Sequence, residues 1–106
     1  VGKAMEGRIL FGPQAQPAPG FVFAARDRMD DVEDRARSVR SERFRYTLNE
    51  RPEIPFTAPS AYADESRTML AMRRLHEENA LTGAAAAWFA PQKPVEEFYD
   101  LAADPH

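Results

Sequence analysis

The sequence predicts an α+β fold: a small antiparallel β-sheet of about four strands packed with helices. Three observations point to it. Phe44, Tyr46 and Leu48 alternate with Arg43, Arg45 and Thr47, the period of two that marks a half-buried strand with its arginines toward water. Phe21–Ala25 and Phe98–Leu101 are short runs rich in aromatic and apolar residues, of strand length. From Asp64 to Ala80, Met69, Met72, Leu75 and His76 recur at spacings of three and four, which is helical. With 106 residues the chain reads as one domain, 1–106, with a thin core.

Taken in order, residues 1–20 form an extended arm and linker. The apolar cluster Ile9-Leu10-Phe11 ends at Gly12-Pro13, and PQAQPAPG follows as a solvated, polyproline-like connector. Residues 21–49 make a strand, a loop and a hairpin. Phe21–Ala25 is expected to be buried on both faces, and Arg26 to Asp34 to leave it as a charged loop. Ala36–Arg40 and Arg43–Leu48 then pair around Ser41-Glu42, although that turn lacks the Gly or Asn that tight hairpins favour. Parity puts Arg37 on the face of Val39, so its guanidinium needs Asp27, Asp30, Asp34 or a bound anion as partner.

Residues 50–63 are a Pro-rich loop with Ile54 and Phe56 as anchors. Residues 64–90 are helical: a long helix capped by Ser60 or Asp64, then a shorter one over Ala84–Ala90 stopped by Pro91. Residues 91–106 hold a closing strand and an end that stops at Asp104-Pro105-His106, where a further turn or helix is expected to start. The chain does not open on Met and reads as cut from something longer.

Composition narrows the function classes. Seven arginines lie between Arg26 and Arg45, but Asp27, Asp30, Asp31, Glu33, Asp34 and Glu42 nearly cancel them, and the whole chain carries −3. Interleaved charges of this kind form ion-pair networks, so nucleic acid is not an expected partner. There is no cysteine, hence no disulfide, thiolate metal site or cysteine nucleophile. No apolar run is long enough to span a membrane.

The residues show no complete catalytic constellation. No serine sits in a G-x-S-x-G elbow, and no glycine-rich phosphate loop occurs. The acidic cluster lacks the glycine and terminal glutamate of an EF-hand loop, so no metal site is assigned to it. His76 reads as a packed or capping histidine. Arg26, Arg28 and Arg37 crowd the end of one strand, where a guanidinium could grip sulfate or carboxylate.

Several stretches in this order resemble one family. FVFAARDRMDD, ARSVRSERFRYTLN, the RPEIPF loop and KPVEEFYDLAADPH are similar to the C-terminal portion of sulfatases, nearest to bacterial sulfatases like heparan N-sulfatase. The resemblance covers residues 7–106 and rests on two motifs in order: an R-x-V-R-x-x-R-F-R-Y hairpin and an E-F-Y-D-L-x-x-D-P closing signature, whose Phe98 stands where the family has Leu. It implies the C-terminal subdomain of an alkaline-phosphatase-like enzyme that hydrolyses sulfuric esters or sulfamates. Family members use calcium and a formylglycine made from a C/S-x-P-x-R motif; this chain has no such motif, so no catalytic residue is assigned and the isolated chain is expected to be inactive.

Carried over, Arg26, Asp27, Arg28 and Asp30 match a loop reaching toward the substrate pocket, and Arg37 a hairpin arginine beside it. The implied partner of the full-length enzyme is a sulfated small molecule or glycan, and the implied location periplasmic or secreted. Surface normally covered by the catalytic domain, around Ile9–Phe11 and Phe21–Phe23, is expected to be exposed or to drive self-association. The competing reading is a stand-alone interaction module.

Overall fold

The computed structural model describes residues 7–104. The first six residues of the arm and the Pro105-His106 end lie outside the described residues. A four-stranded antiparallel sheet runs in the order β1-β2-β3-β4, formed by Val22–Met29, Val32–Arg40, Phe44–Asn49 and Glu96–Asp100. Between β3 and β4 the chain makes the Pro-rich loop, a 3-10 turn at Ala63–Glu65, and two helices, α1 (Arg67–Glu77) and α2 (Gly83–Trp88). The α+β class and the antiparallel sheet are therefore as the alternation and the apolar runs predict.

The first half of the sheet differs from expectation. β1 is an edge strand exposed along its whole length, not a strand buried on both faces. Nor do residues 26–34 form a loop: β1 continues to Met29, turns tightly at Asp30-Asp31, and returns as β2 from Val32. Asp30 takes φ +56°, a left-handed conformation that aspartate tolerates better than most residues. The charges that suggested a loop pair with each other across the strands, Arg26 with Asp34 and Arg37 with Asp27. Between Arg26 and Arg28 the register shifts, because two residues of β2, Asp34 and Arg35, face the single Asp27.

The second hairpin forms where the pattern puts it. Ser41 replaces the missing turn glycine by hydrogen bonding: its N–H donates to Phe44 O at 2.8 Å, and its Oγ accepts from Phe44 N at 2.9 Å. The helical segment is split. Ser66, whose Oγ accepts from Met69 N, caps α1, while Ser60 Oγ accepts from Ala63 N at the start of the preceding 3-10 turn, and Asp64 pairs with Arg73 instead of capping. α1 ends in a Schellman arrangement, with Ala80 N donating to Leu75 O, Asn79 N to His76 O, and Asn79 at φ +53°. α2 begins one residue earlier and ends two residues sooner than the alanine run suggests, and β4 spans Glu96–Asp100 rather than Phe98–Leu101.

The largest correction concerns the faces of the sheet. Register places Phe23, Val39, Tyr46 and Phe98 side by side on one face, with Ala25, Arg37, Leu48 and Glu96 in the next row. Phe44 stacks on Phe98 there, ring centroids 5.3 Å apart. This apolar face is open: Phe23 is 78% and Phe98 66% exposed. The opposite face carries Arg26, Ser38, Arg45, Thr47 and Asn49; Phe56 of the Pro-rich loop lies over it, and Met69 of α1 and Trp88 of α2 meet it at the end formed by Met29, Val32 and Asp34. Arg45 thus does not face open water; its guanidinium lies on the Tyr99 ring, 4.6 Å from the centroid. Alternation fixes which side chains share a face, but not which face the helices cover.

Little apolar material is enclosed. Phe89 is the buried hydrophobic residue among the described ones. The Cα radius of gyration is 18.1 Å, against about 13 Å for a compact domain of this length.

Candidate functional site

The covered face is tied together by a buried ion cluster. The β2 bulge turns Asp34 beneath the Pro-rich loop, where it receives Arg26 from β1 and Lys93 from the segment before β4. Lys93 is fully buried, with its ammonium also 5.7 Å from the Phe56 ring centroid. A lysine in this position needs its carboxylate, because an unpaired buried charge costs several kcal/mol. Nearby, Asn49 donates from Nδ2 to Pro94 O at 2.8 Å and to Glu97 Oε1 at 2.7 Å, and Lys93 N donates to Pro52 O at 2.9 Å. These bonds lock β4 and the Pro-rich loop against the hairpin.

The five positions singled out in the sequence do not form one site. Arg26 belongs to the Asp34–Lys93 cluster and has a structural partner. Asp30 accepts from Tyr62 N at 3.3 Å, and Asp31 from Ala61 N at 3.3 Å, so the β1–β2 turn holds the start of the 3-10 turn. Arg37 and Asp27 pair at 2.6 Å on the open face, and Arg37 also donates to the carbonyls of Arg26 and Ala36. The hydrogen bond and charge of Asp27 raise the Arg37 pKa further above its usual value, so the guanidinium is a permanent cation. Arg28 sits opposite Glu33, beyond the bulge.

Sequence reasoning missed Lys93 as a buried cation; the one signal was a lysine between two prolines in the stretch leading into the closing strand. It also missed the pairs that close the sheet. Arg43 grips Asp100 with Nη2 at 2.7 Å and lowers the carboxyl's pKa, and the Glu96 carboxylate accepts from Tyr46 Oη at 2.7 Å and raises the phenol's pKa. The Tyr99 hydroxyl donates to Glu97, and its pKa is likewise raised.

Chemically, this arrangement can hold charge and orient side chains. Asp27, Asp30, Asp31 and Asp34 are each engaged by a cation or a backbone N–H. Among the described residues no group of three or more His, Asp or Glu side chains has the layout of a metal site. No helix among them is long and apolar enough to cross a membrane.

Comparison with known proteins gives a coarse assignment. No protein-family model matches the chain. Among curated proteins it is similar to a sulfatase. That relative is an ulvan-active sulfatase from Formosa agariphila, 36% identical over 101 residues, which is 95% of this chain. The chain spans 17% of the relative's length. The likeness anticipated from the hairpin and closing motifs is thus present as likeness to one segment of a sulfatase.

Proposed function

We propose that this chain is the C-terminal subdomain of a sulfatase, a hydrolase of sulfuric esters or sulfamates, and that it supplies sheet and substrate-pocket rim but not the attacking group. The observation that carries the proposal is the alignment of nearly the whole chain with one segment of a sulfatase. The open apolar face supports it, because an autonomous fold would bury Phe23, Phe44 and Phe98. An open apolar face would also suit a stand-alone interaction module; the likeness to a sulfatase segment over nearly the whole chain makes that the weaker reading.

The residues present do not fit a calcium or formylglycine centre. There is no cysteine, no Ser heads an S-x-P-x-R sequence, and the aspartates of the β1–β2 hairpin are committed to arginines, a lysine and backbone N–H groups. That chemistry belongs to other parts of the parent enzyme. Within the chain, Arg28, and Arg37 with Asp27, are the rim positions that can meet a sulfated small molecule or glycan. Arg26 and Asp30 act one step back, by holding the hairpin in place.

The test is hydrolysis of an aryl sulfate with calcium present. The purified 106-residue chain should show no turnover above background, and turnover would overturn the proposal. In the full-length enzyme, Arg28→Ala and Arg37→Ala should raise KM with kcat nearly unchanged, since they act on binding rather than on the reacting sulfur.

A further inference from the structure

β1 is an open edge of the sheet, and the hydrogen-bond phase fixes which of its backbone groups are free. Ser41 N donates to Phe44 O at 2.8 Å and Glu50 N to Arg35 O at 2.9 Å. The β2 residues that bond to β3 are therefore Arg35, Arg37, Val39 and Ser41. Ala36, Ser38 and Arg40, between them, bond to β1, where their register partners are Arg26, Ala24 and Val22. Phe23 and Ala25 are left with N–H and C=O directed away from the sheet, and Phe21 has the same parity. The described residues of the arm bond to one another, Gln16 N to Ile9 O at 2.9 Å and Arg8 Nη1 to Pro17 O at 2.8 Å. They leave β1 exposed from end to end.

Sheet edges are ordinarily blunted by charge, proline or a bulge. β4, the other edge, carries Glu96, Glu97 and Asp100 among its five residues. In β1 the charges begin only at Arg26, followed by the register shift, and Pro19-Gly20 closes the other side. Between these limits Phe21–Ala25 holds neither charge nor proline, and its large side chains, Phe21, Val22 and Phe23, are exposed. This window is complementary to itself. Laid antiparallel on its own copy about a two-fold axis at Phe23, it sets free backbone groups against free backbone groups. Each large side chain then meets a small one: Phe21 with Ala25 on the open face, Val22 with Ala24 on the polar face. Phe23 meets Phe23 of the second copy as an aromatic cross-strand pair. Moving the axis to Ala24 or Ala25 sets apolar residues against Arg26 and Asp27 instead.

We propose that β1 pairs with the β1 of a second copy of this chain, antiparallel about Phe23, to make one sheet continuous across both copies. The blunted β4 edges face outward, so assembly closes at the dimer. The pairing lies in the plane of the sheet and uses no rim residue, so it is independent of the sulfatase reading.

Sedimentation velocity of the 106-residue chain over a concentration series should show monomer and dimer and nothing larger. Amide exchange at Phe23 and Ala25 should slow by about tenfold or more between dilute and concentrated samples, as their N–H groups find acceptors. Ala25→Pro removes an outward N–H from each copy but no bond to β2, so it should weaken the dimer by about tenfold or more and leave the chain folded. Phe98→Glu, on the open face away from β1, should leave dimerisation unchanged. If Ala25→Pro fails to fold, amide exchange and Phe98→Glu decide the matter. A chain monomeric throughout the series, growth beyond the dimer, or unslowed exchange at Phe23 and Ala25 would overturn the proposal. So would a dimer lost in Phe98→Glu, which means face-to-face association, or one undiminished in folded Ala25→Pro.

Discussion

The two faces of the sheet are built in opposite ways. The face under the Pro-rich loop is polar, and most of its groups are matched: Arg26 and Lys93 on Asp34, Asn49 on Pro94 and Glu97, Thr47 on Ser38, with Arg45 Nε left unbonded. The face open to solvent carries Phe23, Phe44, Val39, Tyr46 and Phe98 in adjoining rows, with Phe23, Phe44 and Phe98 exposed, and its charged groups Arg37, Asp27 and Glu96 lie at one end. An autonomous domain puts these the other way round. The difference teaches that ion pairs on the covered side fix the shape of this chain, while the open side is the face that, on the proposed reading, the rest of a sulfatase covers.

Substitutions should separate the two roles. The largest effect is expected on the covered face. Asp34→Ala strands a fully buried ammonium, which typically costs about 3–5 kcal/mol. Thermal denaturation should show a chain unfolded or nearly so, whereas Lys93→Met, which removes the charge and keeps the volume, should be far milder. A native-like melt for Asp34→Ala would mean that the cluster does not organise this face.

Asn49→Ala comes next. It leaves Pro94 O and Glu97 without their donor, a loss of roughly 1–3 kcal/mol readable as a lower denaturation midpoint.

The open face should behave differently. Phe23→Glu with Phe98→Glu should change stability by about 0.5 kcal/mol or less, as exposed substitutions do, yet abolish the concentration-dependent self-association we expect of the isolated chain. Sedimentation velocity reads both states. Large destabilisation by these two substitutions would show that the face already packs on something within the chain.

The smallest effect is at the sheet's rim. Arg43 lowers the Asp100 pKa, so their pair adds stability that is fully present above the ordinary aspartate range. It is lost as pH falls through that range toward the lower folded value. Comparing acid unfolding of Asp100→Asn with the parent should show a slightly reduced pH dependence confined to that acidic window.

Much of this fold was legible. The alternation of Phe44, Tyr46 and Leu48 and the spacing of Met69, Met72 and Leu75 locate β3 and α1 because both reflect backbone periods. The β1–β2 hairpin was obscured because dense charge looks like solvated loop, while here arginines and aspartates zip adjacent strands. The buried strand read from Phe21–Ala25 became an exposed edge because apolar runs report a need for burial, not which surface supplies it. Of the candidate site, Arg37 pairs with Asp27, one of the three aspartates parity left open to it beside a bound anion. Arg26 and Asp30 were drawn into structural pairs by the bulge and the turn, neither of which leaves a mark in residue spacing.

The central claim is that the open face is a docking surface for the remainder of a sulfatase. The direct measurement is sedimentation of the 106-residue chain mixed with the rest of its parent polypeptide, produced separately. The account predicts a one-to-one complex that Phe23→Glu with Phe98→Glu destroys, with aryl sulfate turnover absent from the 106-residue chain alone. A complex insensitive to those substitutions, no complex, or turnover by the isolated chain would contradict it.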